Sequence, residues 1–194
     1  AWHLNAVCEL FQEIADGHDL HLSDSVQKLT GRPPISLDQF IRDGTNHRTD
    51  AYGGAIENRV RLPLEVAKAV IDVWGKDRVG YRISPNGTFN SMSDSDPRAT
   101  FSYLTQRLSE LGIVYLHTFD PPSGASHLAP ALRKLFKGTF VVNGGYDETS
   151  ANAALANGEA DLVAFGVPFL ANPDLPIRFR EKAKLNAPDQ ATFY

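Results

Sequence analysis

The sequence predicts a protein of the α/β class, in which parallel strands alternate with helices. Four short apolar segments, each followed by a helix-like segment, carry this prediction; they lie at residues 79–83, 113–118, 139–142 and 161–165. Short apolar strands separated by helices are typical of a buried parallel sheet. Glycine and polar residues follow the strands, at the edge where ligands bind both in a (β/α)8 barrel and in a doubly wound sheet. The pattern alone leaves these two architectures open.

Helix signals fill the intervals between the strands. Asp96 precedes Pro97 in the position of a capping residue, and Gly112 closes the same segment, which predicts a helix between them. Apolar residues at helical spacing predict a long helix over residues 57–74. Further helices are expected in the segments 126–138 and 147–160, and from residue 167 onward until Ala187.

Short helices are also predicted before the first strand, at residues 3–15, 23–31 and 36–44. Cys8 lies on the apolar face of the first of these and is interpreted as a core residue. His18 and His21 have a spacing that could hold a metal ion, but no third ligand follows at a fitting distance. We therefore expect a solvated turn there and no metal site.

Composition excludes several classes of function. The net charge is −4 and no basic stripe is present, which argues against nucleic acid as a partner. A single cysteine excludes a disulfide framework within the chain and favours a reducing, cytoplasmic location. No apolar run of membrane length and no signal-peptide pattern occur, so no membrane association is expected.

Two strand ends have the residue types of a phosphate site. Asn143, Gly144 and Gly145 follow one strand, and Phe165 with Gly166 closes the next. Glycine lets a phosphate approach the backbone N–H groups closely, although two ordinary turns between strand and helix would have the same residues.

Arg82 is a charged residue within an apolar strand. Such a side chain is costly unless it is paired in an interior salt bridge or faces a ligand, and the sequence leaves both alternatives open.

The polar stretch "LDQFIRDGTNHRTDAYGGAIENRVRLPLE" at residues 37–65 is flanked by helix-like segments. Together with "DRVGYRISPNGTF", "GIVYLH", "VVNGGYD", "ADLVAFGVPFLANPDLP" and "KAKLNAPDQATFY", in this order, it resembles the old yellow enzyme family over residues 37–194. That family consists of FMN-dependent ene-reductases on a (β/α)8 barrel. The resemblance implies the second half of such a barrel, a partial (β/α)8 (TIM) barrel. It also implies that the polar stretch is a defined irregular loop and helix beside the active site.

The resemblance assigns roles to single residues. It implies that Arg82 faces the pyrimidine edge of the flavin, and that Tyr194 lines the substrate pocket. Many relatives have arginine where this chain has Val167, so the phosphate would rely on backbone donors and FMN binding is expected to be weak. The implied cofactor-binding residues are Arg82, Asn143, Gly144, Gly145, Phe165, Gly166 and Val167.

One motif of the family is missing. A sequence of the form His-x-x-Asn(or His)-Gly-Tyr normally precedes "LDQF", where it holds the substrate carbonyl and supplies a proton. Thr30, Pro33 and Ile35 occupy those positions here, and none has the required donor group. No catalytic residue is therefore assigned. The first strands of the barrel, which bind the other edge of the flavin, are also absent from the sequence.

Residues 1–36 resemble a different family. Their "LTGRPPIS" and flanking helical segments are similar to the closing segment of NmrA-like NAD(P)-binding proteins. No glycine-rich dinucleotide turn occurs there, so no NAD(P) site is expected in this part. We therefore divide the chain into a helical N-terminal segment of different origin, 1–36, and the C-terminal half of an FMN-binding barrel, 37–194.

Two functions follow from these observations. At family level the chain is expected to be an FMN-binding oxidoreductase that reduces activated alkenes (enones) with NAD(P)H. The alternative is a catalytically inactive fragment or fusion product. In either case an open half barrel has unpaired edges, so self-association or a partner that supplies the missing half is expected.

Overall fold

The computed structural model describes residues 37–88, 91–123 and 126–192. Within these ranges, four parallel strands form one sheet in the order β1-β2-β3-β4. The strands are β1 (Gly80–Ile83), β2 (Tyr115–Phe119), β3 (Thr139–Asn143) and β4 (Leu162–Val163). The predicted α/β class and its four parallel units are confirmed, although β4 is shorter than expected.

Eight α-helices surround the sheet in the described part of the chain. They are α1 (Leu37–Ile41), α2 (Ile56–Arg59), α3 (Arg61–Trp74), α4 (Pro97–Leu111), α5 (Ala129–Leu135), α6 (Glu148–Ala156), α7 (Val167–Ala171) and α8 (Leu175–Glu181). Short 3₁₀ turns lie at Lys76–Arg78 and Gln190–Thr192. The helices predicted at 3–15 and 23–31, with Cys8, His18 and His21, lie outside the described residues.

The helices predicted over 57–74 and from residue 167 to Ala187 differ most from the structure, since each is divided into two. The single helix expected over 57–74 is divided at Val60 into α2 and α3. Pro63 has no N–H to donate to the carbonyl of Arg59, which removes one helical hydrogen bond at this junction. The last helix ends at Glu181 rather than near Ala187, because Lys182 adopts the left-handed conformation with φ +54°.

The helix boundaries that rested on capping residues are confirmed. The side chain of Asp96 accepts a hydrogen bond from the Ala99 N–H at 2.9 Å, Pro97 opens α4, and Gly112 ends it with φ +72°. At the start of α6, Asp147 and Ser150 form a reciprocal capping box. Local chemistry thus fixes where these two helices begin.

Within the residues that the structure describes, one face of the sheet packs against helices and the other does not. Ile83, Leu116 and Phe140 are fully buried together with Phe101 and Leu104 of α4. This cluster is the core of the described part, and it orients the strands so that alternate residues point away from the helices.

The residues that point away form what we call the open face: Arg82, Tyr115, His117, Val141 and Leu162. The strand register places Arg82, His117, Val141 and Leu162 in one row across the four strands. Tyr115 is 41% exposed and Leu162 is 55% exposed. In a closed barrel the corresponding face lines the interior.

Buried polar side chains hold the irregular stretch between α1 and α3 in place. Arg59 is 6% exposed and donates hydrogen bonds to the carbonyls of Ile41 (2.8 Å) and Gly54 (2.5 Å) and to Thr100 Oγ1 (3.1 Å). The stretch is therefore attached to α4. A buried guanidinium can satisfy several backbone acceptors at once because it carries five donors.

Arg42 and Asn46 complete this attachment. Asn46 Nδ2 donates to the carbonyls of Phe40 (2.7 Å) and Tyr52 (2.8 Å), which closes the loop on itself. Arg42 donates to the carbonyl of Ser84, directly after β1, and its guanidinium lies 5.1 Å from the ring centroid of Phe101. The stretch is a defined irregular structure, as the sequence implied, and these contacts run mainly to backbone carbonyls.

Replacing Arg59 with leucine should destabilise the fold. The Arg59→Leu change removes the donor from the buried carbonyl of Ile41 and from the buried Thr100 Oγ1. Each such loss costs about 1–3 kcal/mol, so we expect a loss of about 3 kcal/mol in the free energy of unfolding. Urea denaturation followed by circular dichroism measures this. The matched control is Arg107→Leu on α4, whose side chain is 47% exposed and should change stability by less than about 0.5 kcal/mol. Equal effects of the two changes would contradict the structural role of Arg59.

Candidate functional site

The carboxyl ends of the four strands and the segments that follow them meet at one edge, which we call the carboxyl rim: residues 84–87, 120–123, 143–147 and 164–167. Hydrogen bonds connect each segment to its neighbour. Asn86 Nδ2 donates to Asp120 Oδ1 at 2.7 Å, the Asp120 N–H donates to the carbonyl of Asn143 at 2.8 Å, and Asn143 Nδ2 donates to the carbonyl of Ala164 at 2.7 Å. The rim is therefore one connected surface.

Arg82 and Asn143, to both of which the resemblance assigns contacts with a cofactor, lie close together at this rim. Arg82 lies on the open face of β1, and its Nη2 is 3.4 Å from Asn143 Oδ1 on β3. The guanidinium is 6.0 Å from the ring centroid of Phe119. The interior salt bridge considered for Arg82 is not formed within the described residues, so its exposed positive charge faces the open side of the sheet.

His117 lies beside Arg82 in the strand register, and sequence reasoning missed it. Its Nε2 atom is buried and has no hydrogen-bond partner among the described residues. Burial lowers the pKa of the imidazole, and the positive charge of Arg82 lowers this pKa further. Side chains alternate between the two faces along a strand. Leu116 and Thr118 point into the core, so His117 between them points to the opposite face, which carries Arg82.

The first glycine pair forms a sharp turn with room above it. Gly144 has φ +121°, and a Cβ there would lie 3.1 Å from the backbone nitrogen of Pro121. Gly145 has φ +79°, and no atom of the described residues lies within 4 Å of the position that a Cβ would occupy, so a ligand could approach its backbone. The start of α6 is less accessible to an anion, because the Asp147 carboxylate already accepts from the N–H of Ser150.

The second glycine loop is also open. In the part of the chain that the structure describes, no atom lies within 4 Å of the position that a Cβ on Gly166 would occupy. Val167, the first residue of α7, is 44% exposed. The side chain of Phe165 instead packs edge-on against Phe179, with ring centroids 5.3 Å apart. Its backbone, rather than its ring, is therefore the group left to face a ligand. Tyr194 lies outside the described residues.

Asp120 is a second residue that sequence reasoning missed. It is fully buried, and its Oδ2 accepts from the N–H groups of Leu128 and Ala129, both at 2.7 Å, at the start of α5. His127 Nδ1 lies 3.0 Å from the same oxygen, but not in hydrogen-bonding geometry. Burial raises the pKa of the neighbouring Tyr146 to about 12, and the charges of Asp120 and Glu159 add to this effect.

The described ranges contain neither a metal cluster nor a membrane span. No group of three or more His, Cys, Asp or Glu residues there has an arrangement that could hold a metal ion. Among the same residues, no helix combines the length and apolar character needed to span a membrane.

Consecutive parallel strand–helix units, with polar and glycine residues beyond the carboxyl ends of the strands, define part of a (β/α)8-barrel protein. The chain belongs to the NADH:flavin oxidoreductase / NADH oxidase family, whose sequence profile matches residues 36–186. The resemblance to old yellow enzymes is thereby confirmed.

Individual relatives support this assignment. The chain is 48% identical over 166 residues to 12-oxophytodienoate reductase 1 of Oryza sativa subsp. japonica, covering 81% of this chain and 44% of that protein. It is 43% identical over 165 residues to 12-oxophytodienoate reductase 2 of Arabidopsis thaliana, with the same coverage of 81% and 44%. The chain thus spans about half the length of the curated relatives it matches.

Solved structures agree with these relatives. Morphinone reductase in complex with tetrahydroNAD is 47% identical with a TM-score of 0.77, covering 81% of this chain and 44% of that chain. The old yellow enzyme homologue from Zymomonas mobilis is 44% identical with a TM-score of 0.78, covering 81% and 46%. The partial barrel predicted from the sequence is therefore confirmed.

The protonation of His117 can be tested directly. Because burial and Arg82 both lower its pKa, the unfolded chain binds a proton more readily than the folded one. We expect protonation of His117 to lower the free energy of unfolding as the pH falls through the ordinary histidine pKa of about 6.5. In an NMR titration, Arg82→Ala should raise the pKa of the His117 ring, whereas Arg78→Ala, at the other end of β1, should leave it unchanged. An unshifted resonance in Arg82→Ala would contradict this electrostatic coupling.

Proposed function

We propose that the carboxyl rim binds FMN and that the chain represents part of an oxidoreductase that reduces activated alkenes with NAD(P)H. The observation that carries this proposal is the position of Arg82 beside Asn143 and next to two glycine loops, in a chain of this family; no carboxylate among the described residues pairs with the Arg82 cation. Bound FMN would supply hydride transfer. The related reductases, one of them solved with tetrahydroNAD, support the substrate class and the reductant.

The residues present fit this cofactor. The open space at Gly145 and Gly166 gives a phosphate group access to backbone on two neighbouring loops. Arg82 would attract the electron-rich edge of the flavin ring, since no carboxylate among the described residues neutralises it. Val167 offers no cation, so the phosphate would depend on backbone donors. These contacts would bind and orient the cofactor.

The division of the chain is part of the proposal. We infer that residues 37–194 are the C-terminal half of the barrel and that residues 1–36 have a different origin; the start of the family match at residue 36 supports this boundary. The single cysteine supports a reducing location such as the cytoplasm.

A second candidate function is binding without turnover. Thr30, Pro33 and Ile35 stand where the resemblance places the carbonyl-binding and proton-donating residues, and they lie outside the described residues. Without these groups the chain would keep the carboxyl rim that binds the cofactor, but it would lack the residue that donates a proton to the substrate.

Titration of the purified chain with FMN, followed by flavin fluorescence, tests cofactor binding. We expect weak, exchangeable binding that Arg82→Ala weakens by at least about tenfold, since a charge-assisted contact contributes about 1.5–3 kcal/mol. Arg78→Ala is the matched control and should leave the titration unchanged.

Val167→Arg adds a cation at the second loop and should strengthen binding. Identical curves for Arg82→Ala and the unmodified chain would contradict the role of Arg82, and stoichiometric FMN retained through purification would contradict weak binding.

Stopped-flow spectroscopy tests turnover. The FMN-loaded chain is reduced chemically and mixed with 2-cyclohexenone, and we expect reoxidation slower than in a complete family member by at least about 10²-fold, because the proton donor is absent. Mixing with oxygen is the control that shows the bound flavin to be reactive. Rapid reoxidation by the enone would show that other residues supply the proton.

A further inference from the structure

Asp120 is a buried carboxylate at the carboxyl rim that the proposed cofactor contacts do not use. It directly follows β2 and is fully buried, so its side chain has no surface with which to touch a ligand. Its Oδ2 accepts from the N–H groups of Leu128 and Ala129 at the start of α5, and its Oδ1 accepts from Asn86 Nδ2, all at 2.7 Å. These three donors stabilise a charge that would otherwise be costly to bury.

The side-chain amide of Asn86 connects Asp120 to the segment after β1. Its Nδ2 donates to Asp120 Oδ1 and also to the carbonyl of Ser126, each at 2.7 Å. Both N–H bonds of this amide are therefore used, because an asparagine side chain carries two donors. The segment after β2 is thus held against the segment after β1.

The backbone of Asp120 is attached to β3 and its glycine turn. The Asp120 N–H donates to the carbonyl of Asn143 at 2.8 Å. The side chain of Asn143 lies beside Arg82 and donates to the carbonyl of Ala164. A Cβ on Gly144 would lie 3.3 Å from the carbonyl carbon of Asp120, so the glycine turn packs closely on this backbone. A displacement of Asp120 would therefore move Asn143 and the turn with it.

We propose that Asp120 is a positioning residue for the cofactor. Its carboxylate holds the rim so that Asn143 and the glycine turn at 144–145 face the same ligand as Arg82. Binding groups must be held within about 0.5 Å of their productive geometry by the residues behind them, and Asp120 with its three donors supplies that support. This inference rests on the proposed binding of FMN at the rim.

The charge of Asp120 and its hydrogen bonds predict opposite effects on FMN binding. A carboxylate repels a nearby anionic phosphate, so removal of the charge alone would strengthen binding, whereas loss of positioning would weaken it. Asp120→Asn separates the two effects. Asparagine keeps the shape of the side chain but replaces one oxygen with an NH₂ group. That group must face either Asn86 Nδ2 or the N–H groups of α5, which are all donors, so at least one contact is lost.

Titration of the full 194-residue chain with FMN, followed by flavin fluorescence, is the first test. We expect Asp120→Asn to weaken binding by about tenfold or more, at the low end of the about 10–100-fold loss in affinity when groups that orient metal ligands are removed. Asn86→Ala removes one of the three contacts and should weaken binding in the same direction by a smaller factor. This second variant decides the question if Asp120→Asn does not fold.

Asp161 provides a matched control at the opposite ends of the strands. Its Oδ2 accepts from the Phe140 N–H at 2.8 Å, and its Oδ1 accepts from Arg133 Nη2 at 3.1 Å. Asp161→Asn therefore also disturbs a structural carboxylate, and it should lower stability without changing the FMN affinity of the folded chain. Equal losses of affinity in the two variants would indicate a general structural effect and overturn the proposal. Unchanged or stronger binding in Asp120→Asn would overturn it as well.

A second measurement does not require the cofactor. Solvent exchange of the Asn143 side-chain amide protons, followed by NMR, reports the hydrogen bond to the carbonyl of Ala164. We expect faster exchange in Asp120→Asn and unchanged exchange in Asp161→Asn. If the unmodified chain binds no FMN, the proposed function fails, and this exchange measurement still decides whether Asp120 positions Asn143. Unchanged exchange in Asp120→Asn would overturn the positioning role.

Discussion

The buried carboxylate of Asp120 connects the segments on which the site depends. Its side chain accepts hydrogen bonds from Asn86 after β1 and from Leu128 and Ala129 at the start of α5, while its backbone N–H donates to Asn143. A buried charge is costly without such partners. Because these hydrogen-bond partners of Asp120 come from two segments of the rim and from the start of α5, the position of each segment is fixed relative to the others, including the one that carries Asn143 beside Arg82.

A second set of buried polar groups holds the other side of the rim. Arg42 binds the carbonyl of Ser84 at the end of β1, and Arg59 ties the stretch before α3 to Thr100 on α4. The helix layer therefore reaches the rim through hydrogen bonds as well as through apolar packing. Buried arginine suits this role, since one planar side chain supplies several donors to acceptors on different segments.

Sequence reasoning succeeded where the chemistry is local. The strands followed from apolar runs, and α4 followed from Asp96 and Gly112, because capping involves residues close in the chain. Reasoning from single residues missed His117 and Asp120. Their roles depend on strand register and on partners up to 34 residues away, which composition and spacing do not encode. The family resemblance supplied the barrel half that periodicity left undecided.

The open face and the candidate ligand site share the same surface of the sheet. The row that leaves Leu162 exposed also carries Arg82 and His117, so whatever closes the barrel desolvates the cation and the neutral imidazole together. Desolvating a lone cation opposes closure, whereas an anionic ligand beside it favours closure. A ligand that binds this face more tightly when it is covered than when it is open stabilises the covered form by mass action. The row of Arg82 and His117 is therefore suited to an anionic ligand, because no carboxylate among the described residues neutralises the Arg82 cation.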